Sequence, residues 1–507
     1  MALFDGHDLS RCGSLLPPGA RSPRTASLSA MANFAESNFA ILAEGPMLPE
    51  KGVAMSDFDL VLTGRVVGTD RVRENGYVAV RGGLIERVGE GSPPSAVRRE
   101  DFGSALILPG AIDAQVHSRS QAGQEDFIWS TRAAAAGGVT TIVDMPYDDG
   151  MLICDADRLR RKAREAGEQV RVDFALYGTV HPEHGATHIP EMVAAGACGF
   201  KFSTFGTHPE RFPRIPPQTL HACFAEIARH GLIAGIHNED DEMVRAAIAE
   251  VARLGITDYR AQGMSRPPAA EAFATAGAYE IGAAAGCATH IVHCSIGRGY
   301  DLCHAYRAQG FDTTIEACIH YLFLDEEHDV PRLGGRAKVN PPIRSRKEVG
   351  ALWRHLACGN VTVVSTDHVS WSSGRKDDPI MLNNASGVPS LEVLYALLLK
   401  GLFERGLSFS WASRLLAANP ARLFRIGHRK GALEVGRDAD IVVMAHDPQR
   451  YDPTASGNNA VTWSPYAGLE LPFRPIATFQ RGNVIFDGTQ VLAEPGKGRF
   501  VTPGLAA

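Results

Sequence analysis

Apolar and polar positions change their spacing twice along the chain. From Asp57 the segments "FDLVLTGRVV", "GYVAVRGGLIERVG" and "SALILPGAID" are short β-branched runs punctuated by glycine, which predict a small sheet ending near Pro109. From about residue 111 to 424 short apolar runs alternate with Ala-rich stretches of helical length. "TTIVDMP" follows "TRAAAAGG", "CGFKFST" follows "PEMVAAGA", and "LIAGIHNED" follows "LHACFAEIARHG". "ATHIVHCS" follows "AFATAGAYEIGAAAG", and "NVTVVSTDH" follows "KEVGALWRHLACG". Such alternation predicts right-handed βα units on a parallel sheet, and a count close to eight favours a (β/α)8 TIM-like barrel over an open sheet. After residue 425 short strands return in "GALEVGRDADIVVM" and "PIATFQRGNVIFDGTQV". The N- and C-terminal strands (56–110 with 425–485) are therefore expected to meet in a small β-sandwich beside a barrel spanning 111–424, with 486–507 as a C-terminal tail. No solenoid repeat is visible.

Residues 1–55 stand apart in composition, rich in Ser, Ala, Pro and Arg and without the uninterrupted apolar core of a secretory signal. Asp5, Asp8 and Glu36 count against a transit peptide, so the expectation is a disordered extension, or an upstream start with Met55 opening the folded protein. The remainder is ordinary for a globular chain of 507 residues, 45% hydrophobic and 21% charged. A net charge of −6 spread over that length gives no basic footprint for nucleic acid and no polybasic membrane patch. No apolar run approaches the roughly 20 residues that span a bilayer. The nine cysteines (12, 154, 198, 223, 287, 294, 303, 318 and 358) are scattered and form no Cys-x-x-Cys pair. That pattern argues against a disulfide framework and a thiolate zinc site and for a reducing cytoplasm.

Five of the predicted strand ends carry metal-ligand residue types: Asp113/Gln115/His117, Lys201, His237, His293 and Asp367. Barrel enzymes place their chemistry at such ends, and residues two apart on a strand project to one face. Each residue alone has an ordinary structural explanation: Lys201 as an outward lysine, Asp367 as a helix cap, a lone histidine as a hydrogen-bonded one. One on each successive strand, all at the same end, is far harder to produce by chance.

The segments "LPGAIDAQVH", "AAAAGGVTTIVDMP", "GFKFS", "RPPAAEAFA", "HIVHCS", "TIEACIHYLFLDEE", "KVNPPIRS", "STDHVSW", "NNASGVPSLE", "AANPARLF" and "KGALEVGRDADIVVM" occur in that order. On them the chain, from about residue 57 to 501, resembles the cyclic-amidohydrolase branch of the amidohydrolase superfamily: dihydropyrimidinases (hydantoinases), allantoinases and dihydroorotases. The resemblance implies two divalent cations, usually zinc, bridged by a carboxylated lysine and a hydroxide. Lys201 would be that lysine. His237 and His293 would hold the more exposed cation, and His117 and Asp367 the other, together with residue 115. Asp367 would also carry the proton from attacking hydroxide to leaving nitrogen, while the cations polarise the amide carbonyl and generate hydroxide near neutral pH.

Position 115 departs from the family pattern, which is His-x-His where this chain has Gln-x-His. A glutamine amide oxygen is a neutral, harder and weaker zinc ligand than imidazole. Three outcomes fit: coordination through the amide oxygen with a shift toward Mn2+, a first cation kept by His117, Lys201 and Asp367 alone, or only the second site filled. For substrate, "HSR" supplies Arg119 where dihydroorotases read a carboxylate, but Tyr147 replaces their Asn after Met-Pro, which weakens that reading. "KFSTFGTHP" lacks the tyrosine that dihydropyrimidinases use on the oxyanion, leaving Ser203, Thr204 or Tyr147 to substitute. The loops "NPPIRS" and "NNASGVPS" are similar to family segments that bind the cyclic ureide ring through backbone amides, which would bring Asn340 and Ser386 to its imide or ureide edge. His320 and His368 are expected to be structural or to support the ligands.

The leading expectation is a metal-dependent hydrolase that opens a hydantoin, dihydropyrimidine, allantoin or related cyclic imide. The alternatives are a dihydroorotase-like enzyme and a non-catalytic assembly protein of the collapsin-response-mediator kind, whose members lack several ligands where this chain lacks one. A homo-oligomer, often a tetramer in this family, is implied by the resemblance.

Overall fold

The computed structural model describes residues 57–504, so the expectations for residues 1–55 lie outside the described residues. Four strands open the described chain: β1 (Phe58–Val67), β2 (Val72–Arg81), β3 (Leu84–Glu90) and β4 (Ala96–Pro109). Eight parallel strands follow, β5 (Ala111–Val116), β6 (Val139–Asp144), β9 (Asp173–Gly178), β10 (Gly199–Ser203), β11 (Ile233–His237), β12 (Ala288–Ile291), β13 (Thr313–Cys318) and β14 (Val363–Ser365). A two-residue hairpin, β7 (Tyr147–Asp148) with β8 (Met151–Leu152), sits in the connection after β6. Helices such as Phe127–Ala136, Ala156–Gly167, Pro217–Arg229, Pro268–Ala285 and Arg346–Ala357 return the chain between parallel neighbours, as parallel pairing requires.

The strands run in the order β14-β13-β12-β11-β10-β9-β6-β5. Between β14 and β5 there is no ladder. The seam is closed just beyond the strands, where the N–H of His117, one residue past β5, donates to the carbonyl of His368, three residues past β14, at 3.0 Å. Asp113 reinforces it, accepting from Thr366 N–H at 3.1 Å and from the Thr366 hydroxyl at 2.5 Å. The predicted barrel is therefore present, nearly closed.

After the barrel come β15 (Ile441–Arg450), β16 (Glu470–Gln480) and β17 (Asn483–Phe486). They join the N-terminal strands in one seven-stranded sheet, β17-β16-β15-β4-β1-β2-β3, antiparallel except for β1 beside β4. Period-2 alternation assigns each face of the sheet. Ile107, Ile441 and Val443 pack with Leu62, Val80 and Phe479 inside the sheet's own core. Their neighbours Leu106, Leu108, Val442 and Met444 belong to the cluster that fills the barrel wall and its helices. At the end of β4 and the start of β15 both faces are thus buried, and the sheet serves there as a buttress. Lys430 is pinned at this junction by Asp173, Asp438 and Asp440.

Candidate active site

At the carboxyl ends of the barrel strands, Gln115, His117, Lys201, His237, His293 and Asp367 line one cleft of about 100 Å³ with Tyr147, Asn340 and Ser386. The backbone is shaped for this convergence. His293 and Asp367 follow β12 and β14 by two residues with φ of 39° and 47°, a left-handed region that non-glycine residues enter at a cost. Gly387 lines the same cleft at φ 120°, where a Cβ would run into the Val369 side chain.

Each imidazole is oriented by a bond at one nitrogen that leaves the other toward its neighbours. His117 Nδ1 faces the Ser120 hydroxyl at 3.1 Å and Nε2 faces Asp367 Oδ1 at 3.0 Å. His237 Nε2 is held by Glu239 at 2.9 Å, and that carboxylate is also paired with Arg266. His237 Nδ1 then meets His293 Nε2 at 2.9 Å. Burial, with His237 and Lys201 beside it, holds the His293 imidazole well below its ordinary pKa, so it is neutral with a lone pair to offer. Burial likewise pushes the Lys201 ammonium down to about 8, although Asp367 and Glu316 act to raise it. Burial would raise the Asp367 carboxyl, but the bond to His117, with His293 and His320 nearby, keeps it far below the usual carboxylate range.

These donors suit divalent cations. Two ring nitrogens meet head to head, His293 Nδ1 and Gln115 Oε1 are buried without a hydrogen-bond partner, and a buried lysine gives up its proton near neutrality. Buried polar atoms are rarely left unsatisfied, and nitrogen and oxygen donors of this kind are the usual zinc set. The carboxylate behind His237 is the arrangement that fixes a ligating histidine's tautomer. A second grouping, Asp173, Asp438 and Asp440, has its oxygens within 4.8 Å of one another. Lys430 Nζ already stands among them, so this cluster is a neutralised structural joint.

Three residues offered for substrate binding do not line the cleft. Arg119 turns away, donating to Asp148 at 2.9 Å and Glu165 at 2.6 Å. The Ser203 hydroxyl is buried and donates to the Phe205 carbonyl at 2.6 Å. Thr204 likewise spends its hydroxyl on the carbonyls of His237 and Glu239. Tyr147 remains, its ring 5.4 Å from that of His117 and its hydroxyl kept protonated by burial. Asn340 Oδ1 accepts from Gln262 at 2.7 Å, and the Ser386 carbonyl is held by Trp371 at 2.9 Å. His368 is structural, paired with Glu125 and accepting from Ser390 N–H at 3.0 Å. His320 lies behind Asp367 with both ring nitrogens unpartnered, and burial lowers it to about 4. Glu239, Arg211, Gln121 and Gln124 also stand at or beside the site without a motif in the sequence to announce them. The last three lie on loops without periodicity, and only their position after strands that bear ligands could have marked them.

The model of the amidohydrolase family matches residues 106–485. An allantoinase from Rubrobacter xylanophilus is 36% identical over 458 residues, covering 89% of this chain and 98% of the relative. An L-hydantoinase from Paenarthrobacter aurescens is 30% identical over 456 residues, 88% of this chain and 98% of its own. Among solved structures, an L-hydantoinase (dihydropyrimidinase) from Arthrobacter aurescens superposes with a TM-score of 0.84 at 29% identity, covering 88% of this chain and all of that one. A D-hydantoinase structure gives 0.81 at 26% identity, covering 88% and 98%. With the candidate ligands at the strand ends converging in one cleft, the chain belongs to the amidohydrolase family, in its cyclic-amide branch of allantoinases and hydantoinases.

Proposed function

We propose that this protein adds water across an endocyclic amide of a cyclic ureide, a hydantoin or allantoin, cleaving the ring C–N bond to leave a carboxylate and a free ureido nitrogen. The observation that carries the reading is the convergence of His117, Lys201, His237, His293 and Asp367 on one cleft, with donor atoms left unpartnered there. Relatives named allantoinase and L-hydantoinase support it. His237 and His293 would hold one divalent cation and His117 and Asp367 another, with Lys201, carboxylated on Nζ, between them and Gln115 Oε1 beside the second. Zinc fits these donors, and Mn2+ is the alternative that a glutamine oxygen favours. Such cations polarise the ring carbonyl and lower the pKa of water toward neutrality.

The chain's own groups supply the rest. Asp367 is the one carboxylate among the described residues that line the cleft, so it takes the proton of the attacking water and passes it to the leaving ring nitrogen. Tyr147, protonated and beside His117, donates to the oxygen that gains charge as the carbonyl becomes tetrahedral. Asn340 and the Ser386–Gly387 backbone hold the imide edge. A homotetramer is the assembly we assign, to be checked by light scattering. Among the described residues, seven of the eight cysteines are buried free thiols, which supports a reducing, cytoplasmic setting. No helix among the described residues is long and apolar enough to cross a membrane.

The test is metal content per chain by elemental analysis, the mass of the Lys201 peptide, and turnover on a panel of hydantoin, dihydrouracil and allantoin. Ring opening that disappears in Asp367→Asn is expected. Protein that stays inert on the panel after zinc or manganese is supplied with bicarbonate overturns the reading and favours the non-catalytic assembly protein.

A further inference from the structure

The loop after β10 carries a cation that the ring-opening chemistry does not use. Arg211 lines the cleft, yet its guanidinium makes no ion pair within 4 Å and donates no hydrogen bond among the described residues. Burial depresses its pKa below the ordinary value although Tyr147 and Asp149 act to raise it, so the group is partly stripped of water with no carboxylate at ion-pairing distance. Its backbone is fixed: Arg211 N–H donates to His208 Nδ1 at 3.2 Å, and Phe212 N–H to the His208 carbonyl at 3.1 Å. The guanidinium carbon stands 5.5 Å over the Tyr147 ring, whose centroid is 5.4 Å from that of His117. Arg211 is therefore one aromatic ring removed from the reacting end, within reach of a ring substituent and too far for the scissile amide. Gln124 lines the same wall with its Oε1 engaged by Gln121 N–H at 3.0 Å and its Nε2 buried without a partner.

We propose that Arg211, assisted by Gln124 Nε2, is the specificity determinant of this cleft. It accepts rings that carry an acceptor oxygen on the exocyclic substituent, a ureido carbonyl or a carboxylate, and disfavours aliphatic or aryl substituents. The proposal rests on the ring-opening reading for what occupies the cleft. A guanidinium offers a planar fork to either oxygen type. A site with unpaired donors rejects an analogue that cannot satisfy them far more strongly than an apolar pocket rejects an added methylene.

The experiment compares allantoin and hydantoin-5-acetate with 5-benzylhydantoin on the metal-loaded wild type, Arg211→Met and Arg211→Lys. The quantity read is the polar-to-benzyl ratio of kcat/KM. Loss of one charge-assisted contact is expected to lower that ratio about 10- to 100-fold in R211M, with R211K between. A drop confined to the acetate arm identifies the carboxylate as the preferred substituent, and equal drops identify a shared oxygen acceptor. A ratio unchanged within about 3-fold in both variants overturns the proposal. Should the wild type open none of these rings, the same ratio is taken from calorimetric Kd values. Failure of the ring-opening reading then remains separate from failure of the Arg211 assignment.

Discussion

Gln115 and Asp367 are hydrogen-bonded across the seam of the barrel. The amide Nε2 donates to Oδ1 over 2.7 Å, and that same oxygen faces His117 Nε2 at 3.0 Å. A carboxylate only accepts, so the amide must present its nitrogen to Asp367. The carbonyl Oε1 is consequently turned away, buried and without a partner. A lone unsatisfied buried acceptor costs about 1–3 kcal/mol, which a cation taking that oxygen would offset. The substitution thus exchanges an imidazole donor for an amide that both secures Asp367 and keeps one weaker oxygen in hand.

Gln115→His restores a stronger nitrogen ligand at the same strand position. The variant is expected to lose metal to excess chelator at least about tenfold more slowly than the wild type, followed by elemental analysis over time. Identical loss curves would mean that position 115 takes no part in holding a cation.

Glu239 is the carboxylate that orients His237 and neutralises the buried Arg266. Burial favours its protonated form, but Arg266 and His237 outweigh that and hold it down to about 2, so it is charged at any working pH. In Glu239→Gln the His237 tautomer is no longer fixed and Arg266 loses its counter-charge. Metal affinity, read by competition with a chromophoric chelator, should fall about 10- to 100-fold. Urea unfolding should show a loss of about 3–5 kcal/mol. A stability loss with unaltered metal affinity would limit Glu239 to a structural partner of Arg266.

The barrel was legible because a 300-residue alternation of apolar strands and Ala-rich helices has few other solutions. The convergence of the candidate ligands was legible because strand ends order residues in space as well as in sequence: His237 closes β11, and His293 and Asp367 follow β12 and β14 by two residues. What failed to show was side-chain direction after the strand ends. Arg119 sits two residues past His117, yet the acids that draw it off, Asp148 and Glu165, are 29 and 46 residues away and have no periodic signature. Asp113 shares the two-residue spacing of Gln115 and His117 but is spent on closing the seam, bonded to Thr366 and to Gln115 N–H at 3.2 Å. Burial there pushes its carboxyl up to about 7. Arg211 lies ten residues beyond Lys201 in a loop whose course no local pattern dictates.

Lys430 Nζ lies 2.8 Å from Asp438 and 2.6 Å from Asp440, and it also bonds Asp173 at the start of β9. Arg481 contributes a second cation to Asp173 at 2.7 Å. Removing the lysine leaves buried carboxylates in mutual repulsion, a situation that costs about 3–5 kcal/mol. Lys430→Met should lower the urea midpoint accordingly, with Lys430→Arg milder, while metal per chain stays at the wild-type value. A fall in bound metal in either variant would reassign the aspartate trio as a cation site.

Two lysines behind the Ser386–Gly387 loop predict an unusual alkaline response. Lys376 Nζ donates to the carbonyls of Lys338, Ala385 and Gly387 at 2.9, 2.7 and 2.9 Å, and Lys338 Nζ to that of Leu382 at 2.5 Å. Burial, with Arg266 nearby, lowers Lys338 to about 8, and burial with Lys338 beside it holds Lys376 well below the ordinary lysine value. Below pH 8 Lys338 is protonated both folded and unfolded, and it adds no slope. Above pH 8 the folded chain sheds that proton first, so the unfolded chain binds more protons and unfolding free energy rises with pH toward 10.5. Between pH 8 and 9.5 the wild type should gain about 1–2 kcal/mol relative to Lys338→Met. The comparison with the variant cancels Lys201 and the tyrosines, which titrate in both chains. Parallel urea-stability curves for the two proteins over that range would show that Lys338 keeps an ordinary ammonium, solvated despite its burial.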